Sequence, residues 1–357
     1  MFLFSVIRKR YSLKYVRRIA LGKRIEWIDT AKGIGLILVI LGHLHIPFMT
    51  TWIYLFHMPL FFFLSGLVYS GGKYTWKQYL IKKAKSLLVP YVTYGFIILL
   101  FYTIVNSIIG VENSLYGSTR EMFKNLIIQE HFWTIWFLTA LFLVEIIYYF
   151  LNKICSANYK KLTAISILMC AIGLMRYRLG FGSLPWNLDI AFVAQLFFHV
   201  GRIMKSSKIL KTITAPSNVR KNVLYTNVFL MVNVISGVMG IKLTHESLDM
   251  SVGLYGNEIL TFISAFSGIF FVISLSNLTQ PLAVQYLGRN TMLIFALHSR
   301  VIIVGCSYIY EVLGVFQGIG HAEQILSAIV TFVIIIIMLV PVTEIIKKSR
   351  VKFWFGM

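Results

Sequence analysis

Asp29, Lys32 and His43 fall on one helical stripe near the start of the chain. Lys32 and His43 are eleven residues apart, which is three helical turns with an offset of about 20°. Asp29 lies about 40° from His43 on the other side. At a rise of ~1.5 Å per residue, Lys32 sits ~16 Å below His43. The two cannot touch, but they could hold the two ends of one elongated ligand. With an ordinary pKa of about 6.5, the imidazole is available as a neutral base at pH 7. A lysine at the mouth of the same helix suits an anion. A short turn around Pro47 to Trp52 then leads to His57, which it brings to a depth similar to that of His43. His45, two residues on from His43, points to roughly the opposite face.

Each residue also has an ordinary role open to it. His43 and His57 could be hydrogen-bonded packing histidines, and His45 fits an outer-surface position. Lys32 could snorkel to an interface. Asp29 could complement a helix N-terminal dipole. What lifts His43 above its alternative is its setting, because ionisable groups inside an apolar span are costly and mark function.

The elements that position these residues are membrane helices. The 357-residue chain is 58% hydrophobic and only 13% charged, against about 25% charged in a soluble domain. Its mean hydropathy is +0.77. Repeated apolar stretches of roughly 20 residues imply an all-α, polytopic membrane protein. About ten spans are expected, near 32–49, 52–71, 87–110, 132–151, 161–175, 188–204, 223–241, 254–276, 290–310 and 323–346. A basic arm (1–31) precedes the transmembrane domain (32–346), and a basic tail (347–357) follows it.

The net charge of +21 is distributed by topology. The N-terminal arm, segments 72–86, 152–160, 205–222 and 277–289, and the tail carry most Lys and Arg. The remaining connections hold Arg120, Lys124, Arg176, Arg178 and Lys242 with most of the acids. This positive-inside pattern puts both termini in the cytoplasm. No basic-aromatic groove pattern supports nucleic-acid binding. No signal peptide is expected, since Arg8-Lys9-Arg10 follows rather than precedes the short apolar Phe2-Leu3-Phe4. Cys155, Cys170 and Cys306 show no metal spacing.

Residues 73–86 mix aromatics with lysines, as an amphipathic helix on the cytoplasmic face would. Pro59 is expected to bend the second span, and bent helices are tolerated where they line a cavity. Residues 111–131, with Glu112, Glu121 and Glu130, and residues 176–187, with Gly180, Gly182 and Pro185, form outer loops that could shape an acceptor entrance. Glu145, His199, Glu258 and His298 lie within spans, where satisfying a neighbouring helix is the ordinary role. Asp189 and Arg300 could pair or snorkel. Trp133, Trp136 and Trp186 fit an outer aromatic belt. No internal repeat is visible, which weakens an inverted-repeat transporter.

Two segments carry a family resemblance. Ile28-Asp29-x-x-Lys32-Gly33-Ile34 with His43, followed by Phe56-His57-Met58-Pro59-Leu60-Phe61-Phe62-Phe63-Leu64-Ser65-Gly66, resembles the acyltransferase-3 family of integral membrane O-acyltransferases. The likeness is strongest to the branch related to fucose 4-O-acetylase. Weaker support comes from Lys82-x-x-Lys85 before Leu87-Leu88-Val89-Pro90-Tyr91, from Trp136-Phe137-Leu138, and from Leu287-Gly288-Arg289-Asn290 through Leu297-His298. The family's usual motif is an arginine, ten residues, then the essential histidine. Lys32 stands at the arginine position, and Lys82 and Lys85 stand where the family has paired arginines. Lysine keeps the charge but lacks the planar fork that grips phosphate bidentately.

The resemblance implies about ten helices, acetyl-CoA as cytosolic acyl donor, no metal, and a hydroxyl of a surface polysaccharide or its lipid-linked precursor as acceptor. The host would be bacterial and the location the plasma membrane. On this reading His43, His57 and Asp29 are catalytic, with His43 as general base. Lys32, Lys82 and Lys85 bind the donor, and His298 and Trp136 contact the acceptor. The chemistry suits the residues: acyl transfer needs a base near the acceptor hydroxyl and a polarised thioester carbonyl, and the Lys32-to-His43 stretch is comparable to the pantetheine arm of acyl-CoA. The rival is a non-enzymatic transporter or flippase of a glycan or lipid-linked intermediate. It explains buried polar groups equally well, but not the basic mouth aligned with His43.

Overall fold

The computed structural model describes residues 25–109, 118–129, 133–214, 219–246, 248–316, 318 and 320–357. Residues 1–24 of the basic arm, together with Glu112 and Glu130, lie outside the described residues. The described residues are helical, with only an isolated bridge between Asp249 and Leu254. We number the α-helices α1 (Glu26–Gly42), α2 (Met49–Tyr54), α3 (His57–Leu67), α4 (Trp76–Lys83), α5 (Val89–Ile109), α6 (Thr119–Ile128), α7 (Trp136–Ile154) and α8 (Tyr159–Arg178). The second half continues as α9 (Leu188–Met204), α10 (Lys208–Ile213), α11 (Val219–Thr244), α12 (Glu258–Leu278), α13 (Leu282–Arg289), α14 (Thr291–Leu297), α15 (Val304–Leu313) and α16 (His321–Lys348).

The interval 52–71 falls on α2 and α3, the interval 290–310 on α14 and α15 with a π-helical segment between them, and each of the others mainly on one longer helix. Seven stretches are long and apolar enough to cross a membrane: Met49–Lys73, Trp76–Ile108, Trp136–Ile154, Val219–Thr244, Glu258–Leu278, Thr291–Leu313 and His321–Lys348. The other three intervals correspond to α1, α8 and α9. Helices α1 and α9 have 17 residues each, so each reaches only ~25 Å along its axis. Helix α8 has 20 residues but carries Lys160, Lys161, Arg176 and Arg178 at its ends.

Local sequence accounts for the boundaries. Thr75 and Gln78 form a capping box that starts α4, and Ser118 and Glu121 form another that starts α6. The expected amphipathic helix runs through a π-helical segment (Ala84–Leu88) directly into α5. Pro59 does not bend a continuous span. The chain breaks at Leu55–Phe56, and Pro59 sits in the first turn of α3, where a missing N–H costs nothing. The tail is not a free arm: Arg350–Phe355 forms a 3₁₀ turn, and the Tyr94 hydroxyl donates to Phe355 O at 3.0 Å.

Two helix crossings depend on glycine. A Cβ on Gly66 would stand 1.8 Å from Phe198 O, and one on Gly201 would stand 2.0 Å from Phe63 O, so α3 and α9 meet backbone to backbone. A Cβ on Gly33 would stand 2.0 Å from Val284 O, and one on Gly288 would stand 1.7 Å from Asp29 O. Helices α1 and α13 are therefore locked together. Membrane helices associate through such close packing because lipid offers no hydrophobic drive.

Candidate active site

Three histidines converge where α1 ends. His43 is the C-cap of α1, just past the last helical residue, so it stands at the helix end rather than inside a longer span as the 32–49 interval implied. His57 opens α3 and is 3% exposed. His298 is fully buried and opens a π-helical segment (His298–Ile303) between α14 and α15. π-Helical turns recur at functional sites. The His43 and His298 rings meet edge to face with centroids 4.9 Å apart, and Tyr54 stands between His43 and His57, at 6.3 and 4.9 Å from their centroids.

The hydrogen bonds fix the tautomers. His43 Nδ1 lies 2.8 Å from Val39 O, His57 Nδ1 lies 2.9 Å from Ile53 O, and His298 Nδ1 lies 2.8 Å from Phe295 O. A carbonyl only accepts, so all three histidines carry their proton on Nδ1. His298 Nε2 is then an acceptor, and it faces His43 Nδ1 at 3.4 Å. Two acceptors thus hold the His43 proton in place and leave its Nε2 lone pair for chemistry. A cavity of about 30 Å³ lies against His43, His57, Tyr54, Thr134, Trp136, Asp249 and Ser251. It has room for reacting groups rather than a whole sugar. Trp136 lines this cavity together with the two histidines. His298 touches His43 itself and does not line the cavity. His45 is exposed and does not line the cavity.

Asp29 goes elsewhere. Its carboxylate accepts from Arg289 Nε at 2.9 Å, and Arg289 also donates to Gln285 Oε1 at 2.7 Å. Asp29 does not line the histidine pocket. Together with Gly33 and Gly288 it clasps α1 to α13, far down the helix from His43. The Ile28–Gly33 and Leu287–Asn290 segments are thus the two halves of one contact.

Lys32 lies on this same stretch of α1. Lys32 is partly exposed on α1, and Lys85 is exposed within the π-helical segment before α5. Lys82 donates to the Tyr74 hydroxyl at 2.8 Å and lies 4.2 Å from the centre of its ring. That hydrogen bond, reinforced by the lysine charge, holds the Tyr74 phenol below its ordinary pKa. Gly356 packs between Pro90 and Met292, which ties the start of α5 to the α13–α14 junction.

The remaining polar groups are bonded to neighbouring helices. Glu145 accepts from Tyr79 and Lys83. His199 bonds Tyr148 and Thr163 at 2.9 Å each. Glu258 is the first residue of α12, at the very end of that apolar stretch, and pairs with Arg178. Asp189 lies in the first turn of α9, where it accepts from Leu184 N at 3.4 Å. Arg300 lies within electrostatic reach of His43 and Tyr54.

Sequence reasoning missed Tyr54, Thr134, Asp249 and Ser251. Asp249 carried a signal: it is one of only three aspartates in the chain. Nothing local marks the others, because the pocket forms only when the loop between α11 and α12 folds over the α1 terminus.

The chain matches the profile of the acyltransferase-3 family, an acyltransferase domain, over residues 25–346. It belongs to that family and is a multi-pass membrane acyltransferase. Comparison with curated protein sequences and with solved structures gives no match.

Proposed function

We propose that the protein is a plasma-membrane O-acetyltransferase of a bacterial cell that moves an acetyl group from cytosolic acetyl-CoA to a hydroxyl of a surface polysaccharide or its lipid-linked precursor. The observation that carries this reading is the His43 imidazole. Its proton is held on Nδ1 by Val39 O and His298 Nε2, and its Nε2 is left beside a small cavity, in a chain of an acyltransferase family.

Ten helices cross the bilayer in this reading, with both termini cytoplasmic. Lys32, Lys82 and Lys85 draw the donor phosphates to the cytoplasmic end. The pantetheine arm runs up beside α1, over the ~16 Å from Lys32 to His43, and brings the thioester to the histidines. His43 Nε2 takes the proton of the acceptor hydroxyl as its oxygen attacks the thioester carbonyl. Collapse of the tetrahedral adduct breaks the C–S bond, and the imidazolium returns the proton to the departing thiolate. His57 and Trp136 wall the reacting groups, and His298 positions His43. A flippase would have no use for an acyl donor, and family membership weighs against it.

Donor binding tests the reading. Titration of the purified protein with acetyl-CoA is expected to give saturable binding that Lys32→Ala and Lys82→Ala each weaken. If neither substitution alters donor affinity, the assignment of the lysines is wrong.

A further inference from the structure

A second cavity, of about 270 Å³, lies beside the histidine pocket and has no part in the transfer step described above. Its size approaches the lower end of small-molecule sites, about 300 Å³. The last turn of α8 supplies Arg176 and Tyr177, the α8–α9 connection Gly182, the first turn of α9 Asp189, and the loop before α12 Gly253 and Tyr255. One turn divides the two cavities. Asp249, Met250 and Ser251 line the histidine pocket, and Val252 and Gly253 line the larger cavity. Paired backbone hydrogen bonds of 2.9 Å between Asp249 and Leu254 close that turn. The Asp249 carboxylate braces it by accepting from Ser251 N at 2.9 Å and Ser251 Oγ at 2.6 Å.

The lining has the chemistry of polyol recognition. Arg176 donates Nη2 to Gly182 O at 2.7 Å, while its buried Nε has no hydrogen-bond partner. Asp189 supplies acceptor oxygens. Tyr177 and the buried Tyr255 meet edge to face in the cavity wall, with centroids 6.0 Å apart. The Tyr177 hydroxyl is already turned to Glu246 at 2.9 Å, so a carboxylate stands behind it as well as Asp189. Arg176 and Asp189 are the charged residues of the lining, so the cavity offers no net positive charge to an anionic ligand. Hydroxyl groups can accept from the arginine and donate to the aspartate at once.

Resting on the acyltransferase reading above, we propose that this cavity is an acceptor subsite that holds an uncharged, polyhydroxylated sugar ring, next to the unit whose hydroxyl meets His43. The 249–253 turn then sets the offset between the bound ring and the acylated hydroxyl.

Saturation-transfer NMR on the purified full-length protein tests this with methyl glucoside, methyl galactoside and methyl glucuronide as probes. A neutral glycoside is expected to receive transfer from the wild-type protein, and the glucuronide much less. Asp189→Asn should weaken neutral glycoside binding by about tenfold, the loss of one hydrogen bond to a charged group. Gly182→Trp should abolish it. A Cβ at Gly182 meets nothing within 4 Å, so a bulky side chain at this lining position is tolerated by the fold, and a thermal unfolding midpoint near that of the wild type checks this. The proposal is overturned if neither neutral glycoside receives transfer, if Gly182→Trp leaves transfer intact, or if the glucuronide binds as well. Acetyl-CoA titration of the same samples separates two failures. Donor binding without glycoside transfer overturns the subsite alone. Glycoside transfer without donor binding overturns the acetyl-CoA-dependent reading proposed above, and the acceptor role that rests on it.

Discussion

Replacing Gly288 by alanine should disable the enzyme from a position remote from the histidines. The added methyl would stand 1.7 Å from Asp29 O, 2.7 Å from its carbonyl carbon and 2.8 Å from Gly33 N. All three are backbone atoms of α1, so no side chain can rotate away. Real Cβ atoms essentially never approach closer than 3.0 Å, so α13 must retreat from α1 by about 1.3 Å. That shift stretches the Asp29–Arg289 ion pair from its 2.9 Å and re-aims the helix that carries both Lys32 and His43. Overpacking of this kind costs about 1–3 kcal/mol of stability. A misplacement of about 1 Å at reacting groups can cost about 10²-fold in rate. Gly305→Ala is the control, since a Cβ there meets nothing within 4 Å. Acetyl transfer and thermal unfolding would be measured on both variants in the same detergent. We expect Gly288→Ala to lose about 10²-fold in turnover with a lower unfolding midpoint, and Gly305→Ala to match the wild type. Wild-type activity in Gly288→Ala would refute the clasp.

Three further outcomes are expected. His298→Ala removes one of the two acceptors on His43 Nδ1 and should lower kcat about tenfold with little change in donor KM, while His298→Gln, whose amide oxygen can accept, recovers part of the loss; equal kcat in all three proteins would remove His298 from the account. Glu145→Gln should destabilise the protein by about 3–5 kcal/mol, because it leaves the Lys83 ammonium without its buried partner, and an unchanged unfolding midpoint would contradict that. Tyr74 ionises below its ordinary range because Lys82 donates to it, so the phenolate forms as pH rises through that lowered pKa and then holds Lys82 more firmly. Donor affinity should therefore fall with rising pH in the wild type and stay flatter in Tyr74→Phe; identical profiles would exclude competition for Lys82.

The sequence carried the helices well because each span is a long apolar run with polar punctuation, and the Thr75 and Ser118 caps are local signals. It carried His43 and His57 because a short turn forces them to one depth. It misjudged Asp29. The stripe geometry was right, but a helical projection cannot say which neighbour a side chain meets, and Arg289 is 260 residues away. The π-helical segments holding Lys85 and His298 were invisible as well, since one extra residue in a turn leaves no compositional trace. Asp249 and Ser251 reach the histidines only through tertiary folding of an outer loop. The long-range contacts that define the pocket therefore had to come from the structure, and the chemistry-bearing helix ends did not.

The central claim is that His43 is the base for O-acetylation of a surface glycan. Proton NMR of purified surface glycans tests it in three strains: intact, gene-deleted, and deleted but supplied with His43→Ala protein at matched membrane levels. The account predicts that acetyl signals vanish on deletion and stay absent with His43→Ala. Full acetylation restored by the His43→Ala protein would contradict it.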